Sequence, residues 1–106
     1  PKPVIYVFEI EIKAGYTADE YAAAWVEASR IIQRSKGARG TRLHRSLDDD
    51  HRLIAIASWD SKADRDASAA ILDEAVKSII ESQAPFVSIR VVGEFDEPSW
   101  VVDPGE

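Results

Sequence analysis

The chain has 106 residues, of which 45% are hydrophobic and 30% are charged, a composition typical of globular domains. Its net charge of −6 disfavours general nucleic-acid binding, which depends on clustered lysine and arginine. The absence of cysteine excludes disulfides, thiolate nucleophiles and cysteine-ligated zinc. No apolar run approaches the roughly 20 residues that cross a bilayer, and the first residues lack a signal-peptide pattern. We therefore expect a single cytoplasmic domain over residues 1–106, with no membrane partner.

The first predicted element is a strand from Val4 to Lys13, in which apolar residues alternate along the chain. Successive side chains of a strand point to opposite faces, so one face carries only large apolar groups. These groups are Tyr6, Phe8, Ile10 and Ile12. The other face combines apolar and acidic groups, namely Ile5, Val7, Glu9 and Glu11.

A helix is predicted to follow, because Thr17 and Glu20 have the spacing of a capping box. Apolar residues then recur at helical spacing and form one stripe, made of Tyr21, Ala24, Trp25, Ala28, Ile31 and Ile32. The Lys36-Gly37 pair suits a helix C-terminus. These signals together predict an amphipathic helix after the first strand.

The middle of the chain predicts a hairpin followed by a second helix. Residues 39–47 form a basic strand, the three aspartates of residues 48–50 turn the chain, and Arg52 to Trp59 return as the partner strand. Asp60 or Ser61 then starts a helix, which Pro85 ends. A fourth strand is predicted from Phe86 to Phe95. Residues 96–106 form a C-terminal tail that contains Trp100.

This order of elements is that of a ferredoxin-like α+β fold, in which both helices cover one face of a four-stranded antiparallel sheet. The uncovered face would expose apolar residues such as Val7, Ile54, Ile56 and Val92. A bare apolar sheet face is unfavourable in a monomer, so we expect a homodimer formed through this face. The tail is then expected to reach across to the partner protomer.

Charged residues are predicted on the same uncovered face. Continuous alternation places Glu9, Glu11, Arg90 and Glu94 there, and Glu9 could pair with Arg90 because the first and fourth strands are neighbours. Buried charges require such partners. The alternative is that these residues lie at a hydrated rim of the dimer.

Three segments carry a resemblance to a known family. They are Glu9–Gly15, Gly37–Ser46 and Ser58–Ser61, and in this order they resemble the antibiotic biosynthesis monooxygenase (ABM) domain of the dimeric α+β barrel superfamily. The resemblance covers about residues 3–96. It implies a ligand pocket between the sheet and the helices of each protomer. It also implies one of two activities, cofactor-independent oxygenation of polycyclic phenols or oxidative degradation of haem.

The resemblance extends to few of the residues that the phenol oxygenases use. Trp59 matches the tryptophan at the end of the third strand in both branches of the family. The phenol-oxygenase pattern has asparagine where this chain has Ala55, and tyrosine where it has Arg65. It also has an arginine near Ile79, where this chain has none.

The haem-degrading pattern is absent from the corresponding positions. That pattern has asparagine near Phe8, tryptophan near Ala69 and an axial histidine near Ile79, and this chain has none of the three. Haem degradation by the route known for the family is therefore not expected here.

The candidate catalytic residues are Trp59, Tyr6 and His44. An aromatic pocket would orient a flat substrate, and the His44 imidazole could accept a phenolic proton. The predicted lining consists of Phe8, Tyr21, Trp25 and Ala55. The alternatives are that the aromatic residues simply fill the core, and that His44 is an exposed residue of an edge strand.

We therefore expect a cofactor-independent monooxygenase that acts on an aromatic or quinol-like small molecule. We expect no cofactor and no metal, since two histidines and an acidic turn without calcium-loop spacing make a poor metal site. Two alternatives remain open. One is a non-catalytic protein that binds a small apolar ligand in the same pocket. The other is a structural dimer with a filled core.

Overall fold

The computed structural model describes residues 2–106 and has the predicted element order β-α-β-β-α-β. Its strands are β1 (Val4–Ile12), β2 (Ala38–Arg45), β3 (Arg52–Trp59) and β4 (Val87–Asp96). Its helices are α1 (Ala18–Ile32) and α2 (Lys62–Gln83). The strands form one antiparallel sheet in the order β2-β3-β1-β4. The ferredoxin-like fold predicted from the sequence is confirmed.

Side-chain caps fix the beginnings of both helices. In α1 the Glu20 amide donates to the Thr17 hydroxyl (3.2 Å), and the Thr17 amide donates to the Glu20 carboxylate (3.1 Å). The predicted capping box is thus present. In α2 the Asp64 amide donates to the hydroxyl of Ser61, the N-cap residue (3.1 Å).

The core lies between the sheet and the helices. Ile10 of β1, Leu53 and Ala55 of β3, and Tyr21 of α1 are buried in it. Helix α2 contributes little to this core, because Ser68 is its one buried residue. The Ser68 hydroxyl lies 2.9 Å from that of Ser35 beyond the end of α1, so α2 is fixed mainly to α1 and stands off the sheet.

An irregularity between β1 and β4 changes which residues of β4 face the helices. Val7 pairs with Gly93 but Phe8 pairs with Val91, so Val92 is an extra residue on β4. A bulge of this kind inverts the alternation beyond it. Glu94 consequently pairs with Tyr6 and lies on the helix side of the sheet. The prediction that Glu94 lies on the uncovered face is wrong for this reason.

The uncovered side of the sheet, hereafter the open face, carries both apolar and charged groups. It includes Ile5, Val7, Glu9, Glu11, Arg42, His44, Arg52, Ile54, Ile56, Arg90 and Phe95. The predicted Glu9–Arg90 ion pair is confirmed at 3.5 Å. After β4, residues 97–106 contain neither helix nor strand, and Trp100 is 91% exposed. Within residues 2–106 no helix has the length and apolar character needed to cross a membrane.

Candidate functional site

A cavity of about 240 Å³ lies between the helix side of the sheet and the two helices. Five aromatic residues line it, Tyr6 and Phe8 from β1, Tyr21 and Trp25 from α1, and Trp59 from β3. Because they come from three different elements, the fold itself brings them together. The result is a concave aromatic site of the kind that binds flat apolar ligands.

Small side chains keep this space open. Ala28 of α1, Ala57 of β3 and Ala69 of α2 line the cavity, and none of them extends beyond a methyl group. Leu72, Val76 and Ile80 form an aliphatic part of the α2 wall. The apolar stripe of α2 therefore faces the cavity, which explains why that helix buries so little against the sheet.

Arg65, in the first turns of α2, is the cation of the cavity wall. Its guanidinium carbon lies 4.0 Å from the centroid of the Tyr6 ring, a cation–π distance. The nearest carboxylates are those of Glu94 at 3.5 Å and Asp66 at 3.7 Å. The Arg65 side chain is 22% exposed, so it lies at the edge of the cavity.

Tyr21 is the most deeply buried of the aromatic lining residues. It is only 1% exposed, and burial raises the pKa of its phenol well above the ordinary value. The phenol is therefore neutral over the physiological pH range. Tyr21 can act as a hydrogen-bond donor toward the cavity but does not supply a negative charge.

The structure brings together most of the residues singled out from the sequence. Tyr6, Phe8, Tyr21, Trp25 and Trp59 all line the cavity. Their roles in binding or catalysis remain predictions, because their positions alone do not test them.

Two of the predicted site residues lie elsewhere. His44 pairs with Ile54 across the hairpin and points to the open face, so the sheet separates it from Tyr6 and Trp59. Ala55 is on the correct side, but it is fully buried in the core cluster between Phe8 and Leu43 and does not line the cavity. These placements correct the predictions that put His44 and Ala55 at the pocket.

Sequence reasoning missed Arg65 as a component of the site. The sequence showed it only as a departure from the family pattern, six residues after Trp59. A signal was nevertheless available, because the Ser61 cap places Arg65 in the first turns of a helix that begins at the end of β3. Its position over Tyr6 depends on where α2 lies relative to β1, which no local pattern specifies.

The remaining polar residues around the cavity are Ser29, Gln33, Thr41, Ser68 and Asp73. Gln33 accepts a hydrogen bond from the Gly40 amide (2.8 Å), and Thr41 donates to the Ile56 carbonyl (3.2 Å). Asp73 is the one carboxylate among the described residues of the wall. Residues 2–106 contain no group of three or more histidine or acidic side chains placed to hold a metal ion.

Residues 3–70 match the family model described as "Antibiotic biosynthesis monooxygenase". The chain belongs to this family. No curated protein sequence matches it.

Solved structures share the fold of this family member at low sequence identity. SnoaB, a cofactor-independent oxygenase from Streptomyces nogalater, is 14% identical, with 97% of this chain and 100% of SnoaB covered and a TM-score of 0.79. Protein SO0527 from Shewanella oneidensis is 19% identical over 91% of each chain, with a TM-score of 0.72. A conserved protein of unknown function from Bacteroides thetaiotaomicron is 8% identical, covers 91% of this chain and 98% of its own, and has a TM-score of 0.71. At these identities the similarity establishes the fold alone.

Proposed function

We propose that this ABM-family protein is a cofactor-independent monooxygenase of an aromatic or quinol-like small molecule. The observation that carries the proposal is the aromatic cavity between the sheet and the helices. Similarity of fold to SnoaB, which is described as a cofactor-independent oxygenase, supports the same reaction class. The substrate class is inferred from the chemistry of the wall.

In this reaction the substrate itself supplies the electrons. Deprotonation of a phenol conjugated with a benzylic methylene gives an electron-rich anion, which transfers one electron to O₂. Recombination of the two radicals forms a carbon–oxygen bond and, after protonation, a hydroperoxide. Loss of water then leaves a ketone, so one oxygen atom enters the product and the other leaves as water. The protein has to orient the anion and exclude solvent.

The cavity residues suit these tasks. Phe8 and Trp59 line the cavity and are proposed to pack against the rings of an aromatic substrate. The Tyr6 hydroxyl is proposed to donate to, or accept from, the reacting oxygen of the substrate. Trp59 is proposed to position the ring, and Tyr21 to act as a neutral donor deeper in the cavity.

The experiment is oxygen uptake by purified, metal-stripped protein with hydroxyanthrones and quinols in the presence of chelator. We expect stoichiometric O₂ consumption above the uncatalysed rate, strongly reduced in Trp59→Ala and Tyr6→Phe. His44→Gln is the matched control and should retain full activity, because His44 lies on the other face of the sheet. Folded wild-type protein that binds these compounds without consuming O₂ would contradict the proposal.

A second candidate function is non-catalytic binding of a small apolar ligand in the same cavity. The observation that favours it is the aliphatic part of the α2 wall, formed by Leu72, Val76 and Ile80, which offers surface for apolar contact. In that case the same compounds should raise the thermal unfolding midpoint of the protein while oxygen consumption stays at the blank rate.

We also propose that residues 1–106 form one domain that pairs with a second copy through the open face. Partly exposed apolar residues such as Ile54 and Phe95 support this arrangement. The exposed Trp100-Val101-Val102 segment of the tail is proposed to contact the partner protomer. The cavity lies on the opposite side of the sheet, so ligand access does not require the dimer to open.

A further inference from the structure

Arg65 brings a positive charge to a site that is otherwise largely apolar. Among the described residues that line the cavity, it is the only lysine, arginine or histidine. Its guanidinium stacks on Tyr6 at 4.0 Å, one of the aromatic rings on which a flat ligand could lie. A cation in such surroundings interacts with an anion more strongly than it would in water.

The Arg65 guanidinium makes only long contacts with the carboxylates near it. Within residues 2–106 its nearest carboxylate contacts are ion-pair distances of 3.5 and 3.7 Å, and none is a hydrogen bond of good geometry. Arg52 contrasts with it, because that side chain donates two hydrogen bonds to Glu9. Arg65 is thus held by stacking and by two long ion pairs, which a ligand with an acidic oxygen could displace.

The neighbouring acids have another cation to pair with when Arg65 binds a ligand. Asp66 accepts a hydrogen bond from the Lys62 ammonium (2.7 Å), which lowers the pKa of that carboxyl. Glu94 lies 3.8 Å from the same ammonium. Turning Arg65 toward a ligand therefore leaves neither carboxylate without a cation nearby.

From this geometry we propose that the cavity selects aromatic anions and that Arg65 is the specificity-determining residue that binds their acidic oxygen. The acidic group is a carboxylate or an ionised phenol or enol, either of which presents oxygen acceptors to a guanidinium. The volume of about 240 Å³ is below the range of roughly 300–1,000 Å³ usual for drug-sized ligands. It therefore favours a compact aromatic ligand.

This inference adds a substrate preference to the proposed oxygenase function. The effect of that preference on turnover rests on the proposed function. A site that prefers the anion lowers the pKa of a bound phenol, which increases the fraction of substrate in the form that reacts with O₂. The binding preference itself does not depend on catalysis. It can therefore be measured with compounds that do not react.

The test compares the affinities of matched charged and neutral ligands by isothermal titration calorimetry near neutral pH. Naphthalene-2-carboxylate and naphthalene-2-carboxamide differ in charge at nearly constant shape. Ionised 2-hydroxy-1,4-naphthoquinone represents the phenol and enol class. We expect the wild type to bind at least one of the two anions about tenfold more tightly than the amide. The anion that binds more tightly shows whether the site prefers the oxygen of a carboxylate or that of an ionised phenol or enol.

Arg65→Gln should abolish this preference, because it should weaken anion binding far more than amide binding. Lys77→Gln is the matched control, since it removes the same charge from an exposed position on α2 that does not line the cavity. It should keep the preference. Arg65→Lys, which retains a point charge without the planar fork, should give an intermediate value.

Glu94→Gln tests the same interaction without altering Arg65. Removing the competing carboxylate should strengthen anion binding by about two- to fivefold. The proposal would be overturned if Arg65→Gln weakened the binding of the anion and of the amide equally. It would also be overturned if Arg65→Gln and Glu94→Gln both left the anion preference unchanged. Anion preference without oxygen uptake would defeat the oxygenase function alone. Oxygen uptake by an Arg65→Gln variant that still prefers the anions would defeat only this inference.

Discussion

Glu9 and Arg52 are joined by two hydrogen bonds on the open face of the sheet. The Arg52 Nη2 and Nε atoms lie 2.6 and 3.1 Å from the same Glu9 oxygen, and Arg90 Nη2 lies 3.5 Å from it. The Glu9 side chain is only 13% exposed even in the isolated chain. A carboxylate between two guanidinium groups is thus already largely withdrawn from solvent at the centre of the proposed interface.

This arrangement makes stability depend on pH at the acidic end. The hydrogen bond from Arg52 holds the pKa of Glu9 below its ordinary value, with the charges of Arg52 and Arg90 adding to the effect. Glu9 therefore stabilises the fold above the ordinary glutamate pKa of roughly 4.3, and that contribution is lost as pH falls through the lower folded value. Urea unfolding measured across this range should show a weaker acid dependence in Glu9→Gln than in the wild type.

The control for this prediction is Glu11→Gln. Glu11 is exposed and lies two residues further along the same strand, so its neutralisation changes net charge equally without removing the paired carboxylate. It should keep the acid dependence of the wild type. If Glu9→Gln and Glu11→Gln unfold with the same pH profile, the Glu9–Arg52 pair does not stabilise the folded state.

Association through the open face predicts that a charge placed there dissociates the dimer. Ile54 lies on this face opposite Glu9, whose carboxylate already pairs with Arg52 and Arg90. A lysine at position 54 would therefore add an excess positive charge to the interface. We expect Ile54→Lys to be monomeric in sedimentation velocity at concentrations where the wild type is dimeric. Ile71→Lys is the matched control, because Ile71 is exposed on α2, away from the sheet. A monomeric wild type would contradict the proposed assembly.

Local signals in the sequence were sufficient for most elements of the fold. The Thr17–Glu20 capping box, the Ser61 cap and the β1 alternation each act within a few residues, so each could be identified without knowledge of the tertiary structure. The boundaries of β3 were predicted without error. The predicted β2 extended two residues beyond Arg45, since strand ends depend on pairing as well as on composition.

Features that depend on register were not predictable in the same way. The apolar run Val91-Val92 does not indicate which residue bulges, so Glu94 was placed on the wrong face. The face occupied by His44 depends on how the hairpin pairs across its acidic turn, where a shift of one residue reverses every side chain. The stacking of Arg65 on Tyr6 likewise depends on the tertiary position of α2 relative to β1.

Gly37 is expected to tolerate alanine less well than Gly15 does. Both have positive φ, +83° and +92°, a conformation that costs an alanine about 1–2 kcal/mol. At Gly37 an added Cβ would also approach the Asp64 Cβ to 2.6 Å, whereas at Gly15 it meets nothing within 4 Å. Gly37→Ala should lower the free energy of unfolding by about 1–3 kcal/mol more than Gly15→Ala, measured by urea titration. Equal losses would show that the start of α2 moves aside without cost.

Tyr21 predicts a second pH dependence, at the alkaline end. Burial raises the pKa of its phenol, so between the unfolded value of roughly 10 and the higher folded value only the unfolded chain releases this proton. Stability is therefore complete below about pH 10 and declines above it, by about 1.4 kcal/mol per pH unit. Tyr21→Phe has no proton to release at this position and should lose that slope in urea unfolding.

Tyr16→Phe is the control that distinguishes the effect of losing a buried phenol from the effect of losing any tyrosine. Tyr16 is 43% exposed and stacks on Phe86 with ring centroids 4.2 Å apart, so its removal subtracts a phenol while leaving Tyr21 buried. It should retain the alkaline slope.

If ligand binding fills the cavity that Tyr21 lines, it should also stabilise the protein without abolishing that slope, because the ligand excludes water from the phenol further. A wild-type protein whose stability is constant above about pH 10 would show that the Tyr21 phenol is hydrated, and hence that the cavity is open to solvent at its base.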